Sequence, residues 1–280
     1  MKKIYVSVDM EGIGGIVSPN QVMKENGDLY KEGRQLMSEE VNAVIQGINE
    51  AGGLAVIGDS HGNMLNIPIA SLKGNFLLCC GSDKMLSMMD GIDDSFSGVM
   101  FIGYHGRFGT PFAIMDHTYS PSILYSLKIN GKEVGEAEIN AEVAGYYNVP
   151  ILMLSGDDTT VKQAKKSFPT IETVEVKKAL GRFSAICEPV DIVRQKLKDA
   201  TRKAVENIGE YGYLYKSNPP IKFEFVWNSS AMAERATFVP GVVKIDERIT
   251  TYECDDYIQA FKVFTVLRTL AYSVADSEYL

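Results

Sequence analysis

The sequence is short of positive charge, cysteine, long apolar runs and histidine, and the first three shortages each remove a class of function. Lys and Arg number 28 against 36 Asp and Glu, a formal net charge of −8. A surface of that sign repels a phosphate backbone, so no nucleic-acid partner is expected. The four cysteines have no metal-binding spacing: Cys79 and Cys80 are adjacent, while Cys187 and Cys254 stand alone. That usage predicts buried thiols in a reducing compartment rather than a disulfide framework. Apolar runs are brief as well. After Met1-Lys2-Lys3, the run over residues 4–8 stops at Asp9, short of the ~7–15 residues of a secretory h-region. No run approaches the ~18 apolar residues of a membrane-spanning helix. The expectation is a cytoplasmic protein with no membrane partner.

What is present is ample core material. With 280 residues and 45% hydrophobic content, the chain can bury a large core in one large domain or two smaller ones. Residues 4–8 alternate and are rich in β-branched side chains, which predicts a first strand. Residues 28–51 carry Leu36, Val41, Val44, Ile45 and Ile48 at helical spacing, and Gly52-Gly53 supplies the stop. Strands follow over 54–57, 75–80 and 98–102, then a hairpin at 124–129 turning on Asn130-Gly131. A helix over 136–147 and a buried strand over 151–154 lead to Asp157 and Asp158, which cap a helix starting near Thr159. This alternation predicts an α/β fold with a largely parallel sheet flanked by helices. Ligands of such sheets bind outside the carboxyl ends of the strands. Beyond residue 168 the pattern changes to strands over 173–176 and 184–187, a helix over 190–208, a strand over 221–227 and a closing helix over 257–274. The expected organisation is a catalytic α/β domain at 1–168 and a smaller C-terminal α+β region at 169–280. The latter is expected to serve oligomerisation or a substrate chamber.

The three histidines occupy short polar segments that interrupt or follow apolar runs: Gly58-Asp59-Ser60-His61-Gly62, Gly103-Tyr104-His105-Gly106 and Met115-Asp116-His117-Thr118. Val8-Asp9-Met10-Glu11-Gly12 offers two carboxylates where the first strand ends. Imidazole and carboxylate are the usual ligands of a hydrolytic zinc site, and loops at strand ends are where a rigid scaffold presents them. Asp9 and Glu11, two apart, project to the same side of extended backbone and repel unless a cation lies between them. Plainer readings exist for each: a helix N-cap or solvated loop for Asp9 and Glu11, and a turn histidine satisfied by its neighbours for His61. Glu136 opens a helix and complements its dipole, with Glu138 and Glu142 as competing candidates. For Tyr146-Tyr147, core or interface is the better reading.

Together these segments match a family. Val6-Ser7-Val8-Asp9-Met10-Glu11-Gly12, Asp59-Ser60-His61, Gly103-Tyr104-His105, the histidine of Asp116-His117-Thr118 and Val134-Gly135-Glu136 resemble the zinc D-aminopeptidases encoded with bacterial dipeptide-transport operons. The stretch Met88-Met89-Asp90-Gly91-Ile92-Asp93-Asp94-Ser95-Phe96 is similar too, as is Ala144-Gly145-Tyr146-Tyr147-Asn148-Val149-Pro150. The resemblance covers most of the chain and is densest over residues 4–158. It implies that Asp9, Glu11, His61, His105 and Glu136 bind metal, with Asp9 bridging two zinc ions per subunit, and it selects Glu136 over Glu138. Five ligands exceed the four usual around one zinc, so a shared two-ion site is chemically sensible. The resemblance also makes His117 the catalytic residue; acid–base or oxyanion duty suits that imidazole better than nucleophilic attack. Asp116 departs from the small polar residue expected there. The implied substrate is a short peptide with a free N-terminal amine and a D-residue first. The implied assembly is a homo-oligomer, a ring-shaped decamer with active sites facing an inner chamber.

Two competitors bracket this reading. A metal-dependent phosphoesterase uses similar ligands but wants basic groups or a glycine-rich amide cradle, and Arg107 is the nearest base in sequence. A non-catalytic peptide-binding protein with a structural metal would have a closed four-ligand site.

Overall fold

The computed structural model describes residues 1–275. From the N-terminus the elements are β1 (Lys2–Val8), α1 (Pro19–Val22), α2 (Gly27–Glu50), β2 (Gly53–Asp59), β3 (Phe76–Cys79) and β4 (Gly98–Tyr104). There follow β5 (Leu124–Ile129), β6 (Lys132–Glu133), α3 (Glu136–Tyr146), β7 (Ile151–Asp157), α4 (Asp158–Ser167), β8 (Glu172–Gly181) and β9 (Ser184–Cys187). The rest are α5 (Val190–Glu206), β10 (Ile221–Trp227), α6 (Ser230–Ala236), β11 (Val243–Asp246), β12 (Ile249–Cys254) and α7 (Tyr257–Ala275).

Pleat alternation along β1 and β4 divides the core in two. Ile4, Val6, Val8, Met100 and Ile102 face α2 and α5, whereas Tyr5, Val99 and Phe101 face α3 and the second sheet. The first sheet has seven strands in the order β3-β2-β1-β4-β7-β8-β9, parallel except for β9. Both faces are covered, as its near-continuous apolar strands require. The chain winds outward from β1 through β2 to β3, then in the other direction through β4, β7 and β8. The reversal lies between β1 and β4, and a crevice opens at such a point.

The second sheet is antiparallel, in the order β11-β12-β10-β5-β6. Its β5–β6 turn is the expected one, with Asn130 at φ 49° and Gly131 at φ 78°, both left-handed as a two-residue hairpin needs. Phe223, Phe225 and Trp227 of β10 pack with Phe261, Phe264 and Leu267 of α7. The α7 residues therefore bury their own core.

Two expectations need correction. The two sheets do not part at residues 168/169: β8 and β9 extend the first sheet, while β5 and β6 belong to the second. Strand partnership is a long-range matter that local pattern does not carry, and β5 finds its partner β10 more than ninety residues later. The cysteines are free, but Cys80 and Cys187 are exposed and the other two half-buried. In addition, α1, α6, β11 and β12 were not expected. Among the described residues no helix is long and apolar enough to cross a membrane.

Candidate metal centre

Asp9, His61 and His105 follow β1, β2 and β4, three neighbours in the parallel sheet, so their side chains converge at its carboxyl edge. The strand ends approach closely. Gly12 N–H donates to the Gly103 carbonyl at 2.8 Å, and a Cβ on Gly12 would lie 2.0 Å from the Tyr104 carbonyl oxygen. Glycine is therefore required there. Glu136 arrives on the first turn of α3, and His117 on the loop after β4.

Asp9 divides its carboxylate between two histidines. Oδ1 lies 3.3 Å from His61 Nδ1 and Oδ2 lies 3.2 Å from His105 Nε2. Glu11 Oε2 is 2.9 Å from the same His61 nitrogen, and Glu136 Oε1 is 3.4 Å from His105 Nε2 and 3.7 Å from His117 Nε2. The five sequence-selected ligands thus meet, and His117 stands beside them with its ring stacked on His105 at a centroid distance of 4.1 Å. Glu138 and Glu142 do not join: Glu138 accepts from Gly135 N–H and Ser167 Oγ, and Glu142 from Ser217.

Each imidazole is oriented by a backbone carbonyl. His61 Nε2–H donates to Val22 O at 2.9 Å, His105 Nδ1–H to Gly106 O at 3.1 Å and His117 Nδ1–H to Met115 O at 2.8 Å. A carbonyl only accepts, so the other nitrogen of each ring is the one that faces the acids. This is how metal-binding histidines are held. Asp9 Oδ2 and His105 Nε2 are buried without a hydrogen-bond partner. A buried lone pair aimed at a carboxylate is tolerated when a cation or a proton lies between them. Without a cation, protons fill that role. Burial opposes protonation of His61 and His105, but Glu11 beside His61 and Glu136 beside His105 override it, with Asp9's help, and hold both rings well above the usual range. Burial pushes Glu11 up, yet the His61 charge holds it well below the usual carboxylate range. Asp9 is raised, by burial first and by Glu11 second. Cation binding displaces those protons. The oxygen and imidazole donor set, with its two orphaned atoms, fits zinc.

Behind the cluster is a polar layer. Asp59 accepts from Asn66 and Ile67 and so shapes the His61 turn. Ser7, Ser60, Tyr104 and Asn140 form a buried chain of hydrogen bonds ending at the Tyr119 hydroxyl. The Asp116 side chain accepts from Gly109 N–H at 2.6 Å and pairs with Arg182 Nε at 2.8 Å, which pins the His117 loop to the β8–β9 turn. The departure from the family's pattern at Asp116 therefore has a structural use.

Sequence reading missed Lys177 and Glu40. Lys177 is fully buried on β8 and donates to the carbonyls of Glu11, Ile13 and Ile16, and Glu40 accepts from Gly14 N–H at 2.7 Å. Burial draws Lys177 down to about 8 and pushes Glu40 up to about 7. Together they hold the loop that carries Asp9 and Glu11. Nothing in Lys177-Lys178 distinguishes the buried lysine from the exposed one. Tyr119 and Arg268 were missed as well, and both line the cavity of ≈ 210 Å³ in front of the cluster.

A buried acid–imidazole cluster at the switch point of a parallel sheet, opening to a small cavity, defines a metal-dependent hydrolase. The comparisons narrow the class. The peptidase M55 family model, described as D-aminopeptidase, matches residues 1–266, and the chain belongs to that family. It is a metallo-aminopeptidase of the D-aminopeptidase type. It is 33% identical over 276 residues to the D-aminopeptidase of Bacillus subtilis (strain 168), covering 96% of this chain and 97% of that one. The structure of the Zn-dependent D-aminopeptidase DppA from Bacillus subtilis, a self-compartmentalizing protease, superposes with a TM-score of 0.93 at 31% identity, covering 99% of this chain and all of that one.

Proposed function

We propose that the protein removes N-terminal D-amino acids from short peptides at a site holding two zinc ions, with Asp9 shared between them. The carrying observation is the division of the Asp9 carboxylate, one oxygen toward His61 and Glu11 and the other toward His105 and Glu136. Zinc bound there supplies Lewis-acid polarisation of the scissile carbonyl and a water of lowered pKa. His117 Nε2 faces the same space, where it protonates the leaving amine or donates to the developing oxyanion. The cavity is smaller than the ~300–1,000 Å³ of drug-sized ligand pockets, in keeping with a short peptide end. The test is hydrolysis of matched D- and L-aminoacyl amides alongside zinc content per chain. The D-series should turn over. Turnover of phosphate esters without D-aminoacyl amides would overturn the reading in favour of a phosphoesterase. That chemistry is poorly supplied here: Arg268 is the one Lys or Arg among the described residues lining the cavity, and Arg107 pairs with Glu133. The opening to the cavity also argues against a closed structural-metal site.

Lys177 is assigned a positioning role in this site. Lys177→Met leaves the carbonyls of Glu11 and Ile16 without their donor, while that of Ile13 keeps the Ile16 N–H, so stability should fall by about 2–4 kcal/mol. Zinc affinity should fall by about 10–100-fold, as when a group supporting ligands is lost. Denaturant unfolding and chelator competition read the two separately. Unchanged zinc affinity would leave Lys177 a purely structural residue.

We also infer a homo-oligomer enclosing its active sites, a ring-shaped decamer by analogy with the self-compartmentalizing relative. The segment 169–280 supplies part of the contact surface. Leu180, Phe183 and Ile186 of the β8–β9 hairpin are exposed, as is Phe112 on the adjacent His117 loop, and assembly would cover such a surface. A stable monomer in light scattering would overturn this. With its four free thiols, the protein is assigned to the cytoplasm.

A further inference from the structure

Arg268 is the cation in the cavity that no described residue explains. It projects from α7 with its guanidinium carbon 4.2 Å from the Tyr119 ring centroid and 5.5 Å from that of Phe264. Its Nε is buried and has no hydrogen-bond partner among the described residues. No carboxylate among them pairs with it, although the cavity it lines contains Asp9, Glu11 and Glu136. The two aromatic rings orient the guanidinium, and a buried N–H without an acceptor marks a place where a ligand can supply one. Tyr119 joins this end of the cavity to the cluster, since its backbone N–H donates to Glu136 Oε1 at 2.7 Å.

We propose that Arg268 binds the C-terminal carboxylate of the substrate and so makes the enzyme favour peptides whose free carboxylate lies close to the scissile bond over substrates that lack one. The acids and imidazoles take the amine end and the carbonyl of the first residue. At the other end, the planar fork of Arg268 suits a carboxylate, which it can meet with parallel N–H···O bonds. An internal peptide bond of a long chain, or an amidated end, leaves Arg268 unanswered. The inference rests on the aminopeptidase reading and adds a specificity residue to it.

The test compares D-alanyl-D-alanine with its C-terminal amide on the zinc-loaded enzyme. The wild type should prefer the free acid by about 10–100-fold in kcat/KM, mainly through KM, the range for a hydrogen bond to a charged group. Arg268→Met, which keeps an apolar stem against Tyr119, should remove that preference by weakening the acid alone, and Arg268→Lys should restore part of it. Calorimetry with a dipeptide whose scissile amide is replaced by a methylene-amine provides a readout free of turnover: the acid should bind the wild type more tightly than its amide, and equally in Arg268→Met. If the wild type binds acid and amide equally, or if the Met variant weakens both alike, the proposal is overturned. That comparison on the wild type decides the matter even if the Met variant does not fold. Failure to cleave either peptide would count against the aminopeptidase reading, while calorimetry would still test Arg268.

Discussion

Asp9→Ala is expected to abolish the two-ion site, not merely weaken it. Asp9 is the acid whose two oxygens face both His61 and His105, although Glu11, paired with His61, also lies close to the His105 side. Zinc content should fall from two ions per chain to below one. Turnover should fall by at least ~10³-fold, since a bound cation contributes several kcal/mol of charge stabilisation. Loss of fold is a separate matter, and Asp9→Asn controls for it. The amide keeps an oxygen that accepts from Met10 N–H, as Asp9 Oδ1 does at 2.9 Å. Asp9 is raised above its ordinary value by burial and by Glu11, so in the metal-free protein its ionised form is held at a net cost. The Asn variant should therefore unfold at a temperature equal to or above that of the metal-free wild type, while still failing to hold both ions. Full zinc occupancy and activity in Asp9→Ala would sink the bridging role.

The parts legible in the sequence were those whose signal is local. β1, β2 and β4 are short apolar runs that each end at a polar segment, and a histidine or acid at such an end stands out in a chain with only three histidines. β11 alternates apolar and polar over Val243-Lys244-Ile245-Asp246, but it is only four residues long and all four are exposed, so too little pattern marks it. The membership of β8 and β9 in the first sheet depends on pairing with β7, which no local pattern records. Glu136 could not be separated from Glu138 by residue type. In the fold, one turns into the cluster and the other back to the helix N-terminus and Ser167. Arg268 did leave a trace. It stands seven residues after Phe261 and four after Phe264, so a cation falls on the apolar stripe of α7 where the period calls for a core residue.

His117→Ala is the variant that divides catalysis from metal binding. The ring follows His105 by twelve residues, and its loop is fastened at several points. Ile114 N–H donates to Asp157 Oδ2, Met115 N–H to Arg182 O, and Asp116 is held by Gly109 and Arg182. Met115 and Tyr119, on either side, adopt left-handed backbone at φ 45° and 59°, a strain that non-glycine residues sustain only when their surroundings impose it. So much constraint suits a group whose nitrogen must occupy one position. Two roles remain distinguishable for that nitrogen. Nε2 is grouped with His105 and Glu136 closely enough to ligate, but the proposed two-ion site already has five other donors, and the nearest acid oxygen to it is 3.7 Å away. His117→Ala should therefore fold and retain both ions while losing about 10²–10⁴ in kcat, the range for a positioned acid–base or oxyanion group. KM should change little if the imidazole acts only as charge develops in the transition state. Loss of one zinc ion together with the activity would make His117 a sixth ligand, and proton transfer would then have to come from another group.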